Sequence, residues 1–217
     1  MSNNRQIKEP DSSRTDLKFR WGGILENPYI SKVHRHCLDG FKVGGLAKII
    51  KSLEYKNILD VGCGIGEYST MKKGRFVGLD NSLPRVKFAQ RYYKHGLFLL
   101  AEATKLPFKD HSFEAVLLAN TIHHLSDESL TEGVLEMKRV SRKYIILDDA
   151  VRWSDQNRLS QFFYSMDRGT MFRTTEEIEA ILKRIEDLKV VLKGNFWTFP
   201  RLYYHTVIVL EVGDLRF

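Results

Sequence analysis

Short apolar runs separated by longer mixed segments dominate the pattern of this chain. Five runs rich in apolar and β-branched residues predict strands, and they lie at 57–61, 75–80, 97–101, 112–120 and 143–147. Two later runs, at 188–192 and 203–212, predict two closing strands. The pattern therefore predicts seven strands.

Between these runs, apolar residues recur at helical spacing, which predicts helices that pack on a sheet. Several predicted helix starts carry residues that cap free backbone N–H groups: Asn81–Ser82, Ser126, and Thr174 with Glu177. The earliest helical pattern, 38–53, contains Gly44 and Gly45, which would allow a break. Only about two helical turns fit between Gly66 and the strand at 75–80. Because strands and helices alternate, we expect one α/β domain with helices on both faces of a mostly parallel sheet.

Length and composition agree with a single folded domain. The chain has 217 residues, of which 43% are hydrophobic and 28% are charged, as is ordinary for a globular protein. Residues 1–20 are polar and predict a flexible arm, which leaves 21–217 for the domain. No apolar stretch approaches the ~18 residues that a membrane span needs, so we expect none.

The charge of the chain leaves two interpretations open. The net charge is +7 and the isoelectric point is near 9.3. Solubility would explain this balance, and so would an anionic substrate or RNA, although the basic residues are spread along the chain. The two cysteines, Cys37 and Cys63, provide no disulfide framework. A reducing, cytoplasmic location is therefore expected.

The stretch from Asn57 to Gly66 carries the clearest chemical signal. Its strand runs into a turn that contains Gly62, Gly64 and Gly66. Glycine suits a turn that needs positive φ and lets a ligand reach bare backbone. The spacing is a poor match to the nicotinamide fingerprint, and Asp60 in front of the turn would repel a phosphate. A cationic, zwitterionic ligand suits this turn better, such as the methionine half of S-adenosylmethionine.

The segment Asp-Val-Gly-Cys-Gly-Ile-Gly, residues 60–66, resembles the first motif of class I S-adenosylmethionine-dependent methyltransferases. Three later stretches follow in that family's order and spacing, so the resemblance covers roughly 58–147 and is closest to the type 11-like methyltransferase domain. It implies a Rossmann-like fold, with a mostly parallel seven-stranded sheet and an antiparallel last strand. It also implies S-adenosylmethionine as cofactor and S-adenosylhomocysteine as product.

The resemblance assigns cofactor contacts to ten residues: Asp60, Gly62, Cys63, Gly64, Gly66, Asp80, Asn81, Glu102, Ala103 and Asn120. Asp80 would bind the ribose hydroxyls, as the acidic residue of a βαβ nucleoside site does. Glu102 would accept from the adenine amino group and Ala103 would offer its backbone N–H to the ring. A turn-forming role for Asp80 and a surface role for Glu102 are the alternatives.

Two adjacent histidines, His123 and His124, follow the fourth strand. Either could act as a general base, because imidazole titrates near the working pH. The alternative is that one of them packs under the cofactor and orders the loop. This pair with His111 and no cysteine cluster does not predict a metal site, so we expect no metal.

Residues 150–173 follow the fifth strand, where this fold commonly forms a substrate lid. Tyr164, Arg168 and Arg173 are the residues in this segment that we expect to contact substrate. An amphipathic helix that only covers the sheet is the alternative.

Together these features predict methyl transfer to an O, N or C atom of a small-molecule, lipid-precursor or saccharide substrate. The first alternative is a tRNA methyltransferase of the wobble-uridine type, which the segment Ile122–Ser126 also resembles. The second is a non-catalytic partner subunit that keeps the fold, against which the intact Asp60, Gly64 and Asp80 argue. Nothing in the sequence indicates an oligomeric state.

Overall fold

The computed structural model describes residue 29 and residues 43–71, 74–167, 169–198 and 202–213. The predicted arm at 1–20, the beginning of the helix predicted over 38–53, and Arg168 all lie outside the described residues. Within the described part, no helix has the length and apolar character needed to cross a membrane.

Strands and helices alternate along the described residues, as the sequence pattern predicts. The strands are β1 (Asn57–Val61), β2 (Arg75–Asp80), β3 (Gly96–Leu100), β4 (Phe113–Ala119), β5 (Ser141–Ala150), β6 (Leu188–Trp197) and β7 (Tyr204–Val212). The helices are α1 (Val43–Ser52), α2 (Leu83–Tyr92), α3 (Asp127–Val140), α4 (Arg158–Met166) and α5 (Thr175–Leu182). Two short 3-10 helices are also described, Glu67–Met71 and Ile122–His124.

The strands form one seven-stranded sheet in the order β3-β2-β1-β4-β5-β7-β6. The pairings among β1 to β5 are all parallel, whereas β7 runs antiparallel to both β5 and β6. This confirms the predicted Rossmann-like α/β class with an antiparallel last strand. Because the strand order reverses between β1 and β4, the loops that follow these two strands border the crevice where open α/β sheets bind ligands.

Side chains of the central strands alternate between two hydrophobic cores, one on each face of the sheet. On β1, Leu59 and Val61 belong to the core under α3 and α5, and Ile58 belongs to the core under α1 and α2. All three side chains are at most 2% exposed. Burial on both faces explains why the strand sequences are so apolar, and it holds the strand ends firmly in place.

Three elements differ from the predicted ones. β5 and β6 are both longer than predicted, because each pairs along its length with β7, as far as Ala150 opposite His205 and Trp197 opposite Tyr204. The turn after the glycines continues as a single 3-10 helix rather than two α-helical turns. The segment 150–173, for which the sequence left a substrate lid and an amphipathic helix open, contains helix α4, whose Leu159 is 59% exposed.

Candidate functional site

The glycine turn lies directly after β1, at the carboxyl edge of the sheet. Gly62, Gly64 and Gly66 all adopt positive φ, at 71°, 56° and 85°. A Cβ atom on Gly62 would come within 2.5 Å of the Thr121 hydroxyl oxygen, so close packing against the loop after β4 also requires glycine there. The turn thus brings bare backbone to the crevice between β1 and β4, as the sequence predicts.

Asp80 at the end of β2 fastens this turn. One of its carboxylate oxygens accepts a 2.9 Å hydrogen bond from the Gly64 backbone N–H, and the other accepts one of 2.8 Å from the Ser82 N–H. The Cys63 backbone N–H donates to the Leu79 carbonyl over 2.8 Å. Asp80 is only 4% exposed. Its carboxylate therefore supports the backbone of the turn and keeps one further lone pair on each oxygen.

The other predicted cofactor residues lie at the same edge of the sheet. Asp60 is fully buried at the end of β1, and Asn81 is exposed just after β2. Glu102 follows β3, is exposed, and forms an isolated bridge with Lys105. Adjacent strands thus bring all three predicted carboxylates, those of Asp60, Asp80 and Glu102, to one edge, in the positions that the sequence predicts.

Asn120 directly follows β4, on the opposite side of the crevice. Its φ is 52°, and its side-chain amide donates a 3.0 Å hydrogen bond to the hydroxyl of Tyr68 in the first 3-10 helix. Its backbone N–H donates to the Asp148 carbonyl on β5. Asn120 therefore connects the loop after β4 to the segment that follows the glycine turn.

His123 lies between two carboxylates in the 3-10 helix after β4. Its Nδ1 is 2.6 Å from Asp149 Oδ1 at the end of β5, and its Nε2 is 3.5 Å from Asp167 Oδ1 just after α4. The His123 backbone N–H also donates to the second oxygen of Asp149, at 3.0 Å. His123 and Asp149 are buried, with side chains 7% and 1% exposed. We call Asp149, His123 and Asp167 the charged triad.

The two carboxylates decide the charge state of His123. Burial acts to lower its pKa, but the negative charge and hydrogen bond of Asp149, with a contribution from Asp167, outweigh burial and raise the pKa to about 10. Burial likewise opposes ionisation of both aspartates, yet their interactions with His123 keep the pKa of each carboxyl below its ordinary value. His123 is therefore a cation at neutral pH and has no free lone pair to accept a proton.

His124 has the opposite character. Part of its side chain reaches the surface, yet desolvation of the rest and the nearby positive charge of His123 lower its pKa to about 4. The two imidazole rings lie 4.1 Å apart between centroids. Arg85, near the start of α2, also contributes to lowering this pKa. His124 is therefore neutral at physiological pH and retains a nitrogen lone pair.

These histidines and Asp167 also form a group that could hold a metal ion, with ligand atoms within 4.8 Å of one another. The sequence alone did not bring Asp167 to the histidine pair. A metal ion bound with Asp167 would have to displace the Nε2 proton of His123, which faces the Asp167 carboxylate.

Residues 150–173, which the sequence predicts to form a substrate lid and which we call the lid segment, are fastened to the loop after β4 by several contacts. Phe172 stacks on the His123 ring, with centroids 4.8 Å apart and planes 6° from parallel. The Met171 backbone N–H donates to the His123 carbonyl, and a Cβ on Gly169 would lie 1.9 Å from the His123 ring. Only glycine at 169 lets the segment approach His123 this closely.

Arg173 contributes to the same attachment. Its guanidinium donates to the carbonyls of Ile122 and Leu125 and to the carboxylate of Asp127. The side chain is 7% exposed. The guanidinium N–H groups of Arg173 are thus already bonded to other residues of the chain. The contact of Arg173 with substrate stays a prediction.

Tyr164, on α4, is also largely buried. Its hydroxyl donates to the Val151 carbonyl at 2.9 Å, and burial raises the pKa of the phenol. Its ring nevertheless lines a cavity of about 280 Å³ together with Phe172 and polar side chains of the segment 150–173. The structure therefore brings Tyr164 to a cavity, whereas Arg168 lies outside the described residues.

Asp149, Asp167 and Phe172 are site residues that the sequence reasoning missed. The position of Asp149 at a strand end was a signal, since Asp60 and Asp80 hold the same position in β1 and β2. Asp167 had no comparable signal, because its partner His123 is 44 positions away and an Asp-x-Gly sequence is typical of an ordinary turn.

Comparison with known proteins agrees with this arrangement. Residues 59–145 match the family model described as a methyltransferase domain. Over 108 residues the chain is 29% identical to a demethylmenaquinone methyltransferase of Thermotoga maritima, covering 46% of this chain and 47% of that protein. Over 120 residues it is 29% identical to a tRNA (carboxymethyluridine(34)-5-O)-methyltransferase of Arabidopsis thaliana, covering 52% of this chain and 29% of that protein. The chain thus matches less than half the length of either relative.

Among solved structures, the magnesium protoporphyrin IX methyltransferase of Synechocystis PCC 6803 with bound SAH is similar, with a TM-score of 0.62 and 18% identity. The match covers 78% of this chain and 81% of that one. At this identity the likeness shows the fold. This chain therefore has the fold of that methyltransferase, and its residues 59–145 match the family model described as a methyltransferase domain.

Proposed function

We propose that this protein binds S-adenosylmethionine at the carboxyl edge of the sheet and transfers its methyl group to an O, N or C atom of a small-molecule, lipid-precursor or saccharide substrate. The observation that carries the proposal is the glycine turn. Its backbone is held by the Asp80 carboxylate, at the place where the strand order reverses. Such a crevice is the general ligand site of open α/β sheets.

The residues present fit this cofactor. The Gly64 backbone N–H already pairs with Asp80, and the three glycines adopt positive φ and add no side chains to the turn. Asp80 can still accept from ribose hydroxyls, and Glu102, after the neighbouring strand, is exposed and can accept from an amino group. S-adenosylmethionine, when bound, supplies an electrophilic methyl group on a positively charged sulfur.

The protein's own contribution is to orient the acceptor and, where the acceptor carries a proton, to remove it. We assign the second task to His124, which is neutral at physiological pH, rather than to His123, which is a cation. His123 orders the loop, because it attaches the lid segment and the end of β5 to the residues after β4. His124 thus takes the role of general base, and His123 takes the role of ordering the loop; the sequence left both roles open for this pair.

Calorimetric titration of the protein with S-adenosylmethionine tests the proposal. Replacing Asp80→Asn removes a charged acceptor, and hydrogen bonds to charged groups are worth roughly 1.5–3 kcal/mol. The dissociation constant should rise about tenfold or more, and thermal unfolding should show that the variant is folded. Glu132→Gln, which removes one exposed carboxylate from α3, is the control and should bind as the wild type does. Absence of binding to the wild type would contradict the proposal and favour a non-catalytic partner subunit.

A tRNA substrate is the second candidate, supported by the similarity to a plant tRNA methyltransferase and by the net charge of +7. Binding of tRNA should then weaken steeply as salt rises, because phosphate contacts release counterions. A filter-binding assay at 50 and 200 mM salt distinguishes the two candidates. Affinity that is weak and little changed by salt favours the small-molecule substrate.

A further inference from the structure

A cavity of about 280 Å³ lies within the lid segment, next to the charged triad. Phe172 lines the cavity and also stacks on His123, so one aromatic ring contacts both the cavity and the loop after β4. Pockets for small molecules typically measure roughly 300–1,000 Å³. This cavity therefore has room for a single small ring.

Hydrogen-bonding groups that are neutral dominate the walls of this cavity. The side-chain amide of Gln161 donates to the backbone carbonyl of Gln156 at 2.7 Å. The side-chain amide of Gln156 donates to the Ser160 hydroxyl at 3.2 Å. Within the described residues, neither side-chain carbonyl oxygen of these two glutamines has a recorded donor. Both oxygens are therefore able to accept hydrogen bonds from a ligand.

Two hydroxyl groups extend this set. Ser165 donates to the Phe162 carbonyl at 2.7 Å and keeps its lone pairs for a ligand. Thr170 is exposed and has no recorded partner within the described part of the chain, so its hydroxyl can both donate and accept. The cavity thus offers several hydrogen-bond acceptors beside one hydroxyl group that can donate or accept. Neighbouring hydroxyl groups of a ligand, which both donate and accept, would find partners in such a set.

Among the residues that the structure describes, Arg152 is the one charged group in the cavity wall. Its side chain is 53% exposed, and one guanidinium nitrogen lies 3.0 and 3.1 Å from the two carboxylate oxygens of Glu177. Its remaining N–H groups can donate to a hydroxyl or to one carboxylate. One cation that already has a partner does not provide the basic surface that a polyphosphate chain needs.

Aromatic side chains complete the site. Tyr164 and Phe172 lie 4.5 Å apart between ring centroids, with planes tilted by 52°, and both line the cavity. We propose that this cavity is the acceptor site and that the acceptor is a hydroxyl-rich ring, a monosaccharide unit or sugar acid. The inference rests on the proposed function, since it names the substrate class of the same enzyme. A quinone would leave the amide and hydroxyl groups unmatched, which costs binding energy.

Ligand-observed and protein-observed NMR titrations test this proposal on the full chain. The probes are a panel of neutral and acidic monosaccharides as their methyl glycosides, with menadione as the quinone and bulk tRNA as the nucleic acid. We expect at least one sugar to bind with a millimolar dissociation constant. The double variant Gln161→Leu/Thr170→Val should weaken that binding roughly tenfold or more, because it removes two hydrogen-bonding groups.

The control applies the same two chemical changes away from the cavity. Gln90→Leu/Thr131→Val alters side chains of α2 and α3 that donate to backbone carbonyls away from the cavity, and it should leave sugar binding unchanged within about twofold. The proposal is overturned if no sugar binds, if menadione or tRNA binds and sugars do not, or if the cavity variant binds sugar as well as the control. Titration with S-adenosylmethionine separates this outcome from failure of the proposed function, because the cofactor should bind all of these variants equally.

Discussion

The two sides of the crevice are built in different ways. On the glycine-turn side, residues 62–66 and Asp80 interact within a short stretch of chain, through backbone N–H groups and positive φ angles. On the triad side, His123 reaches Asp149 and Asp167, which are 26 and 44 positions further along the chain. One side depends on local backbone geometry and the other on charges that meet only after folding.

This difference has an energetic consequence. Removing one partner of a buried ion pair leaves an uncompensated buried charge, which is strongly destabilising. His123 is 6% exposed and Asp149 is 1% exposed, so each requires the other. We therefore expect substitutions on the triad side to act first on stability, and substitutions on the glycine-turn side to act on cofactor binding as well.

The largest expected effect is that of Asp149→Ala. The substitution leaves the His123 imidazolium buried without its main partner, and breaking a buried pair in this way typically costs about 3–5 kcal/mol. Urea denaturation measures this loss. Asp110→Ala is the control, because Asp110 also forms an ion pair, with Arg139, but its side chain is 66% exposed. That pair should be worth about 1 kcal/mol or less, and equal losses in the two variants would contradict a buried, charged His123.

The next effect is that of Gly62→Ala on the other side of the crevice. Positive φ in a residue with a Cβ costs roughly 1–2 kcal/mol, and the new Cβ would also collide with Thr121. We expect a loss of about 2–3 kcal/mol in the free energy of unfolding and weaker binding of S-adenosylmethionine in calorimetry.

Two further variants separate the causes of that loss. Adding Thr121→Ala should recover the part due to the collision, since the closest atoms belong to the Thr121 side chain, and leave the part due to φ. Gly194→Ala, on β6, has no atom within 4 Å of its new Cβ and should change stability little. If Gly62→Ala is as mild as Gly194→Ala, the turn does not need glycine and the account of this side is wrong.

The same difference explains what the sequence could predict. The strands, the glycine turn and the acid at the end of β2 are short-range features, because apolar period, positive φ and strand-end position are all visible in a few consecutive residues. Asp80 and Gly64 were predicted to share a site, and a 2.9 Å hydrogen bond joins them.

Features that depend on residues far apart in the chain could not be predicted from a few consecutive residues. The sequence did not show which histidine is charged, because the difference comes from Asp149 and Asp167, on other elements. Nor did it show that Arg173 bonds to the carbonyls of Ile122 and Leu125, 51 and 48 positions earlier in the chain. The sequence also predicted β5 and β6 too short for the same reason, since pairing with β7 sets how far these strands extend.

A smaller effect concerns pH. The folded-state pKa of His123 is raised to about 10, above its ordinary value of 6.5. The stability that it contributes is therefore fully present below pH 6.5 and is lost as the pH rises towards 10. The two aspartates have lowered pKa values and stay ionised throughout this range, so they do not oppose the change.

Urea denaturation of the wild type and of His123→Gln at pH 6.5 and 9.5 measures this effect. Tyrosine and lysine titrations are common to both proteins, so the difference between them reports His123. We expect the wild type to lose at least about 1 kcal/mol more than the variant, since one pKa unit corresponds to about 1.4 kcal/mol. Parallel losses would mean that His123 is neutral when folded, which would remove the contrast with His124.

A further expected effect distinguishes attachment of the lid segment to the loop after β4 from contact with substrate at Arg173. Arg173→Lys keeps the charge but loses the planar set of donors that reaches two carbonyls at once. We expect a loss of about 1–2 kcal/mol, against about 0.5 kcal/mol or less for Arg152→Lys, whose ion pair with Glu177 is half exposed. Kinetics with an identified acceptor should show the reverse order, with a larger rise in KM for Arg152→Lys. If Arg173→Lys raises KM strongly without a loss of stability, then Arg173 binds substrate as the sequence predicts, and the triad side is less fixed than its contacts indicate.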